Sequence, residues 1–298
     1  MAAFTVRVPA SAANLGPGFD CFGLALDLCN DIVVDGTAKG SVSWEGEGEA
    51  DLPTDGTDLI SRTIRDVGES LGLDVPGFAL HGRNRIPLER GLGSSSSAAV
   101  AGVVAASMLL DLGWERDPLT VFAAAARIEG HPDNAAPAVF GGFTLAMPGG
   151  AVHRLDPHPA LAPVVIVPPS TLSTTEARAA LPGEVPFADA VFNVAHAALA
   201  VEALTRDPSK LSGALADRLH QEARIALVPD LDDVVAELGA AGIPWCVSGA
   251  GPSLLAFEMG GGPSVDADLL GVPEGSWSIL RPGIRLAGFE ASPDGAIS

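Results

Sequence analysis

Short apolar runs alternate with glycine-rich polar breaks along this chain, and the period of the apolar positions changes from one run to the next. In FTVRV, residues 4–8, Phe4, Val6 and Val8 fall on one side, the two-residue period of a strand. FGLALDLCNDIVVDG, 22–36, is a second extended stretch closed by a turn, and SVSWEGEG, 41–48, a third. Over 57–73 the period lengthens. Leu59, Ile60, Ile64, Val67 and Leu71 recur at helical spacing behind a capping Thr57 or Asp58. GFALHGRNRIP, 77–87, returns to strand. RGLGSSSSAAVAG then leads into Ser94–Leu110, which carries no charged residue. Val100, Val103, Val104, Met108 and Leu109 share one face and the rest is mostly Ala, Gly and Ser, so a helix packed on all sides is predicted.

A further helix is predicted over 117–130, with Pro118 early and Gly130 at its end. HPDNAAPAVFGG, 131–142, reads as a polar loop with a short apolar turn. FTLAM and VHRLD read as a hairpin around PGG. The proline-rich DPHPALAP, 156–163, marks the predicted boundary between an N-terminal unit, 1–158, and a C-terminal unit, 159–298. Beyond it come a strand at VVIVP, helices over 174–180, 187–204 and 231–241, and a strand, tight glycine loop and strand at WCVSGAGPSLLAFE. EMGGGPSVD, 258–266, is expected to be a flexible insertion. Strands and helices do not alternate regularly, so the predicted class is α+β rather than a doubly wound sheet.

Composition narrows the partners. The 298 residues are 47% hydrophobic and 18% charged, enough for a sizeable core. A net charge of −20 argues against nucleic acid and anionic lipid surfaces. No apolar segment is expected to reach the roughly 20 residues that span a bilayer. The N-terminus lacks a secretory pattern, and three cysteines without a CxxC pair fit a reducing cytoplasm. Lys39 and Lys210 are the only lysines, so an anionic ligand would rely on arginine, backbone N–H groups or a metal.

Three glycine-bearing stretches suggest a convergent pocket: PASAANLGPGFD (9–20), PLERGLGSSSSAA (87–99) and SGAGPS (248–253). Glycines let a backbone approach an anion, and the first N–H groups of a helix point at it along the positive end of the dipole. The serine run alone reads equally as a capped helix entry. It contains no G-x-S-x-G elbow, no Walker lysine and no complete G-x-G-x-x-G, which leaves a lysine-free phosphate loop. In EGHPDN, Glu129 suits a hard cation such as Mg²⁺, and His131 and Asn134 can orient a polar substrate. The same residues also read as a helix end and a polar turn. Asn14 and Asp20 flank a glycine turn and could hold an amine or a hydroxyl.

Together PASAANLGPGFD, PLERGLGSSSSAA, EGHPDNAAPAVFGG and SGAGPS resemble the homoserine kinase family, within the superfamily of galactokinase, mevalonate kinase and phosphomevalonate kinase. The resemblance runs from about Val6 to Phe257. It implies an N-terminal domain like domain 2 of ribosomal protein S5, a ferredoxin-like C-terminal domain, and transfer of the γ-phosphate of ATP to the hydroxyl of L-homoserine. It implies ATP contacts along Pro87, Arg90, Gly91, Leu92, Gly93, Ser94, Ser95, Ser96 and Ser97. Ser95 and Glu129 match the Mg²⁺ positions, which leaves Ser96 and Ser97 mainly as helix-entry residues. Asn14, Asp20, His131, Asn134 and Gly249 match substrate positions. STTEARAALP adds Thr174 and Arg178, and DRLHQEAR adds Arg224, with Glu222 and Ala223 where the family carries proline and tyrosine. Arg178 and Arg224 would fork onto the substrate carboxylate, and Asp20 would receive its ammonium. Asn134 stands where some members of the superfamily carry a catalytic aspartate. An amide takes no proton at neutral pH, so catalysis by Asp20, Ser95, Glu129 and Asn134 through positioning and electrostatics is expected, with Asp133 the alternative base. Members of the family are often dimers, which adds a homodimer to the expected partners. A sibling kinase for mevalonate, shikimate or a sugar, and an inactive nucleotide sensor, are the competing readings.

Overall fold

The computed structural model describes residues 3–38 and 40–292, so Lys39 lies outside them. In chain order the elements are β1 (Phe4–Ala13), β2 (Phe22–Asp35), β3 (Ser41–Gly46), α1 (Leu59–Leu71), β4 (Ala79–Asn84), α2 (Ser94–Leu109), α3 (Pro118–Glu129), α4 (Pro132–Phe140), β5 (Phe143–Ala146), β6 (Val152–Leu155), β7 (Ala162–Val167), α5 (Thr174–Ala179), α6 (Phe187–Thr205), α7 (Leu211–Ala214), α8 (Gln221–Ile225), α9 (Leu231–Ala240), β8 (Trp245–Val247), β9 (Leu254–Glu258), β10 (Ser278–Leu280) and β11 (Glu290–Ser292).

Two sheets organise the α+β fold. The first runs β11-β1-β2-β4-β3, with the β5–β6 hairpin attached through β2; the second is β10-β7-β9-β8. All pairs are antiparallel except β3–β4, which α1 joins as a parallel crossover. The β1–β2 register shifts between Pro9 and Ala10. Before the shift, Phe4, Val6 and Val8 enter a core covered by α1 to α4; after it, Ala10 and Ala12 enter a second core with Val165, Leu204 and Leu255. One strand thus feeds both halves, and the loops at its end lie between them.

Four expectations change. PDNAAPAVF forms the helix α4, with His131 as its N-cap, Pro132 in its first turn and Pro137 inside it. Pro132 needs no N–H there, so what reads as a loop is a helix start. The unit expected at 159–298 does not keep its last strand: β11 pairs with β1 of the first sheet, Thr5 opposite Ser292. The expected insertion EMGGGPSVD is tied at both ends, because Ser264 Oγ and Val265 N–H donate to Glu258 Oε1 at 3.0 and 2.8 Å. Finally, α6 is long and apolar enough to span a membrane by length and composition. It carries Asp189, paired with Arg218 at 3.0 Å, and buries Ala200, Ala203 and Leu204 against the second core.

Candidate active site

Glycine geometry brings the three loops together. α2 starts at Gly93, which adopts φ +67°; a Cβ there would lie 2.0 Å from Ser11 Oγ and 3.2 Å from Asn134 Oδ1. Gly91 has φ +70°, and its Cβ would lie 2.2 Å from the Ser248 carbonyl. Only glycine tolerates both the left-handed backbone and the close approach. Ser248 Oγ donates to the Gly91 carbonyl at 2.8 Å, locking the phosphate loop to SGAGPS. Behind it α2 is buried almost throughout, as its missing charges predict.

At the mouth of α2, Ser95 and Ser96 each donate a hydroxyl to a different oxygen of Glu129, both at 2.5 Å. Ser96 is therefore more than a helix-entry residue. Ser97 is: it is buried and points back to the Val8 carbonyl at 3.4 Å. One carboxylate flanked by hydroxyls fits Mg²⁺, which takes its remaining ligands from phosphate oxygens and water. Arg90 lines the cleft, but its Nη2 is engaged by the Pro169 carbonyl at 2.9 Å.

A cleft of about 270 Å³ gathers Asn14, Asp20, His131, Asn134, Thr174, Arg178, Arg224 and Gly249 with the phosphate loop from Arg90 to Ser96. Pro87 and Ser97 line an adjoining cavity of about 620 Å³ instead. Ile32, Trp44, Leu52 and Ile60 make the wall of that cavity apolar, with Asn30 and Asn84 as polar points. None of these six residues stands out in the sequence: Asn30, Ile32, Trp44 and Asn84 fall in predicted strands, Ile60 in a predicted helix, and Leu52 in the loop between two elements.

Within the cleft, Asn14 accepts the backbone N–H of Asp20 at 2.9 Å and donates to the Gly249 carbonyl at 2.6 Å. Ser11, which sequence reasoning passed over, donates to Asn134 Oδ1 at 3.0 Å and leaves the Asn134 amide N–H₂ as a donor. Asp20 and Arg178, expected to act separately on ammonium and carboxylate, are bound to each other through two contacts of 2.7 and 3.1 Å. Arg178 also reaches His131 Nδ1 at 3.3 Å.

Two buried charges in the cleft lack such a mate. Arg224 is 2% exposed; its Nη1 donates to the Gly249 carbonyl at 2.8 Å, while its Nε has no partner among the described residues. Asp133, the alternative base of the sequence reading, is 3% exposed, and its Oδ1 is also unpartnered among the described residues. Burial, reinforced by the Asp20 charge, pushes the Asp133 carboxyl up to about 6. Unpaired buried charges are costly, and such groups concentrate at sites awaiting a ligand.

The N-terminal domain of the GHMP kinases matches residues 58–142, and their C-terminal domain matches residues 199–257. A homoserine kinase of Streptomyces avermitilis is 44% identical over 297 residues, covering 98% of this chain and 96% of that protein. One of Gloeobacter violaceus is 45% identical over 271 residues, covering 85% and 86%. The crystal structure of homoserine kinase from Cytophaga hutchinsonii superposes with a TM-score of 0.81 at 25% identity, over 98% of both chains. The chain belongs to the homoserine kinase family of the GHMP kinases.

Proposed function

We propose that this kinase transfers the γ-phosphate of ATP to the side-chain hydroxyl of L-homoserine, in the cytoplasm, giving O-phospho-L-homoserine on the route to threonine. The observation that carries the substrate is the matched pair of buried orphans, Arg224 and Asp133, in one cleft. With Asp20 and Arg178 neutralising each other, Arg224 and Asp133 are the buried cation and the buried anion that the cleft leaves without an ionic partner among the described residues. An amino-acid zwitterion satisfies both: its carboxylate completes Arg224, with Arg178 at the rim, and its ammonium meets Asp133 beside Asp20. Mevalonate, shikimate and sugars carry no ammonium and would leave Asp133 buried and unpaired.

The adjoining cavity takes the nucleoside of ATP between Trp44, Ile32 and Leu52, so that its phosphates run past Ser94–Ser96 at the N-terminus of α2. Glu129 and Ser95 would hold Mg²⁺, which when bound neutralises phosphate charge. The backbone N–H groups that open α2 and the Asn134 amide orient the reacting oxygens. No side chain need take the proton, which leaves with the phosphoryl oxygens or water.

An ADP-release assay across L-homoserine, mevalonate, shikimate and galactose tests this reading. We expect kcat/KM for homoserine to exceed the others by at least about 100-fold. Strong turnover of another alcohol with none of homoserine would overturn the substrate assignment.

Asp133→Asn separates binding from base catalysis. KM for homoserine should rise while kcat stays within about tenfold. A loss of kcat beyond about a thousandfold at unchanged affinity would make Asp133 the base instead. Stability gives an independent reading. Because the folded carboxyl titrates near 6 rather than in the usual aspartate range, the native state holds the extra proton between those limits. Its contribution to stability is therefore lost as pH rises through about 6. At pH 7.5 the variant should be more stable than the parent by a few kcal/mol at most, and at pH 4 the gain should vanish. Thermal unfolding at the two pH values measures it.

A further inference from the structure

Beneath Arg224 lies a buried group that the reaction does not touch. The His220 ring is fully buried at the start of α8. Its Nε2 lies 2.8 Å from the Gly16 carbonyl, and its Nδ1 lies 3.1 Å from Arg224 Nη1. A carbonyl only accepts and a guanidinium only donates, so the two contacts together specify one state: proton on Nε2, lone pair on Nδ1. The other neutral tautomer fails at both ends, and an imidazolium would set an N–H against the guanidinium.

The surroundings hold the ring in that state. Burial drives the His220 pKa down to about 4, against the attraction of Asp217. Asp217 Oδ2 accepts the backbone N–H groups of His220 and Gln221 at 2.8 and 2.9 Å, and Oδ1 accepts Asn193 Nδ2 at 2.6 Å, which anchors the turn carrying the ring. Phe19 covers it, with ring centroids 5.1 Å apart and planes at 29°. Arg224 Cζ lies 5.2 Å from the centroid of the same Phe19 ring. The guanidinium is thus gripped at Nη1 by His220 Nδ1 and the Gly249 carbonyl and faced by Phe19, while Nε remains unpartnered among the described residues.

We propose that His220 is a positioning residue for substrate recognition: as the neutral Nε2–H tautomer it ties the Gly16 turn to Arg224 and aims the guanidinium at the substrate carboxylate. Gly16 lies in the same 14–20 turn as Asn14 and Asp20, so one ring sets the spacing between a wall of the cleft and its buried cation. This inference rests on the amino-acid reading of the cleft.

The test uses the whole chain with L-homoserine and ATP. His220→Phe keeps the ring on Phe19 and removes both hydrogen bonds. It should raise KM for homoserine about 10- to 100-fold, with kcat and KM for ATP nearly unchanged. His220→Gln can donate through one amide atom and accept through the other, and should recover most of that loss. A parallel shift of both KM values, or a normal homoserine KM in soluble His220→Phe, would overturn the proposal. If His220→Phe does not fold, His220→Gln and the parent protein still decide it. Nitrogen NMR of the parent at pH 7 should show the Nε2–H tautomer, and an Nδ1–H or doubly protonated ring would sink the idea. Should the parent fail to phosphorylate homoserine, the substrate assignment fails, while the NMR result still reports on the His220–Arg224 arrangement.

Discussion

Ser95→Ala will lower kcat by about 10²- to 10³-fold, and Ser97→Ala will leave it nearly unchanged. Both serines belong to one run, yet their hydroxyls have different partners. Ser95 borders the cleft and binds Glu129 at 2.5 Å, while Ser97 is buried under β1 and reaches only the Val8 carbonyl. Ser95→Ala removes the hydroxyl proposed for Mg²⁺ and frees one oxygen of Glu129. Ser97→Ala deletes a long hydrogen bond and should cost about 1 kcal/mol of stability. Ser96→Ala should fall between them, because Ser96 holds the other Glu129 oxygen at 2.5 Å. Steady-state kinetics at saturating ATP and Mg²⁺, with thermal unfolding of each variant, measures the series. Equal losses for Ser95 and Ser97 would show that the loop is read in the wrong register.

Arg224→Met should raise KM for homoserine by about 100- to 1,000-fold while leaving KM for ATP within about twofold. Arg224 is almost fully buried and already surrenders Nη1 to His220 and Gly249. Its remaining donors gain most from a carboxylate, since Nε has no partner among the described residues. Arg178→Met should cost less, about tenfold. That side chain is 41% exposed and already neutralised by Asp20. Initial rates against homoserine at saturating ATP separate the two arginines. A larger effect at Arg178 would reverse the assignment of carboxylate anchor and rim.

What could be read from the sequence was local. The glycine–serine loop, the charge-free helix behind it and the β5–β6 hairpin all lie within single windows of residues. Asp58 caps α1 as one of the two candidates did, accepting the Ser61 N–H at 2.9 Å. The site residues were legible as types but not as pairs. Asp20 and Arg178 are 158 positions apart, and nothing in either neighbourhood says that they neutralise each other. For the same reason Asp133 was legible as a possible base but not as an unpartnered buried carboxylate, and Ser11 was not legible as a site residue at all. Each sits in a plausible turn or strand, and only the tertiary structure buries one carboxylate without a partner and sets the other's hydroxyl on Asn134. α4 was hidden by its prolines, and α8 is too short for a 3.6-residue period to emerge, although it supports both His220 and Arg224.

The strand β11 gives the fold an order in time. β1 is made early, yet one of its two edges is covered by Glu290–Ser292, nearly a full chain length later. During synthesis the first sheet can assemble through β6 while that edge still offers unpaired backbone groups to any passing strand. The N-terminal sheet is therefore the first to begin and the last to finish. A chain lacking Glu290–Ser292 would expose that seam at the very strand that feeds both cores.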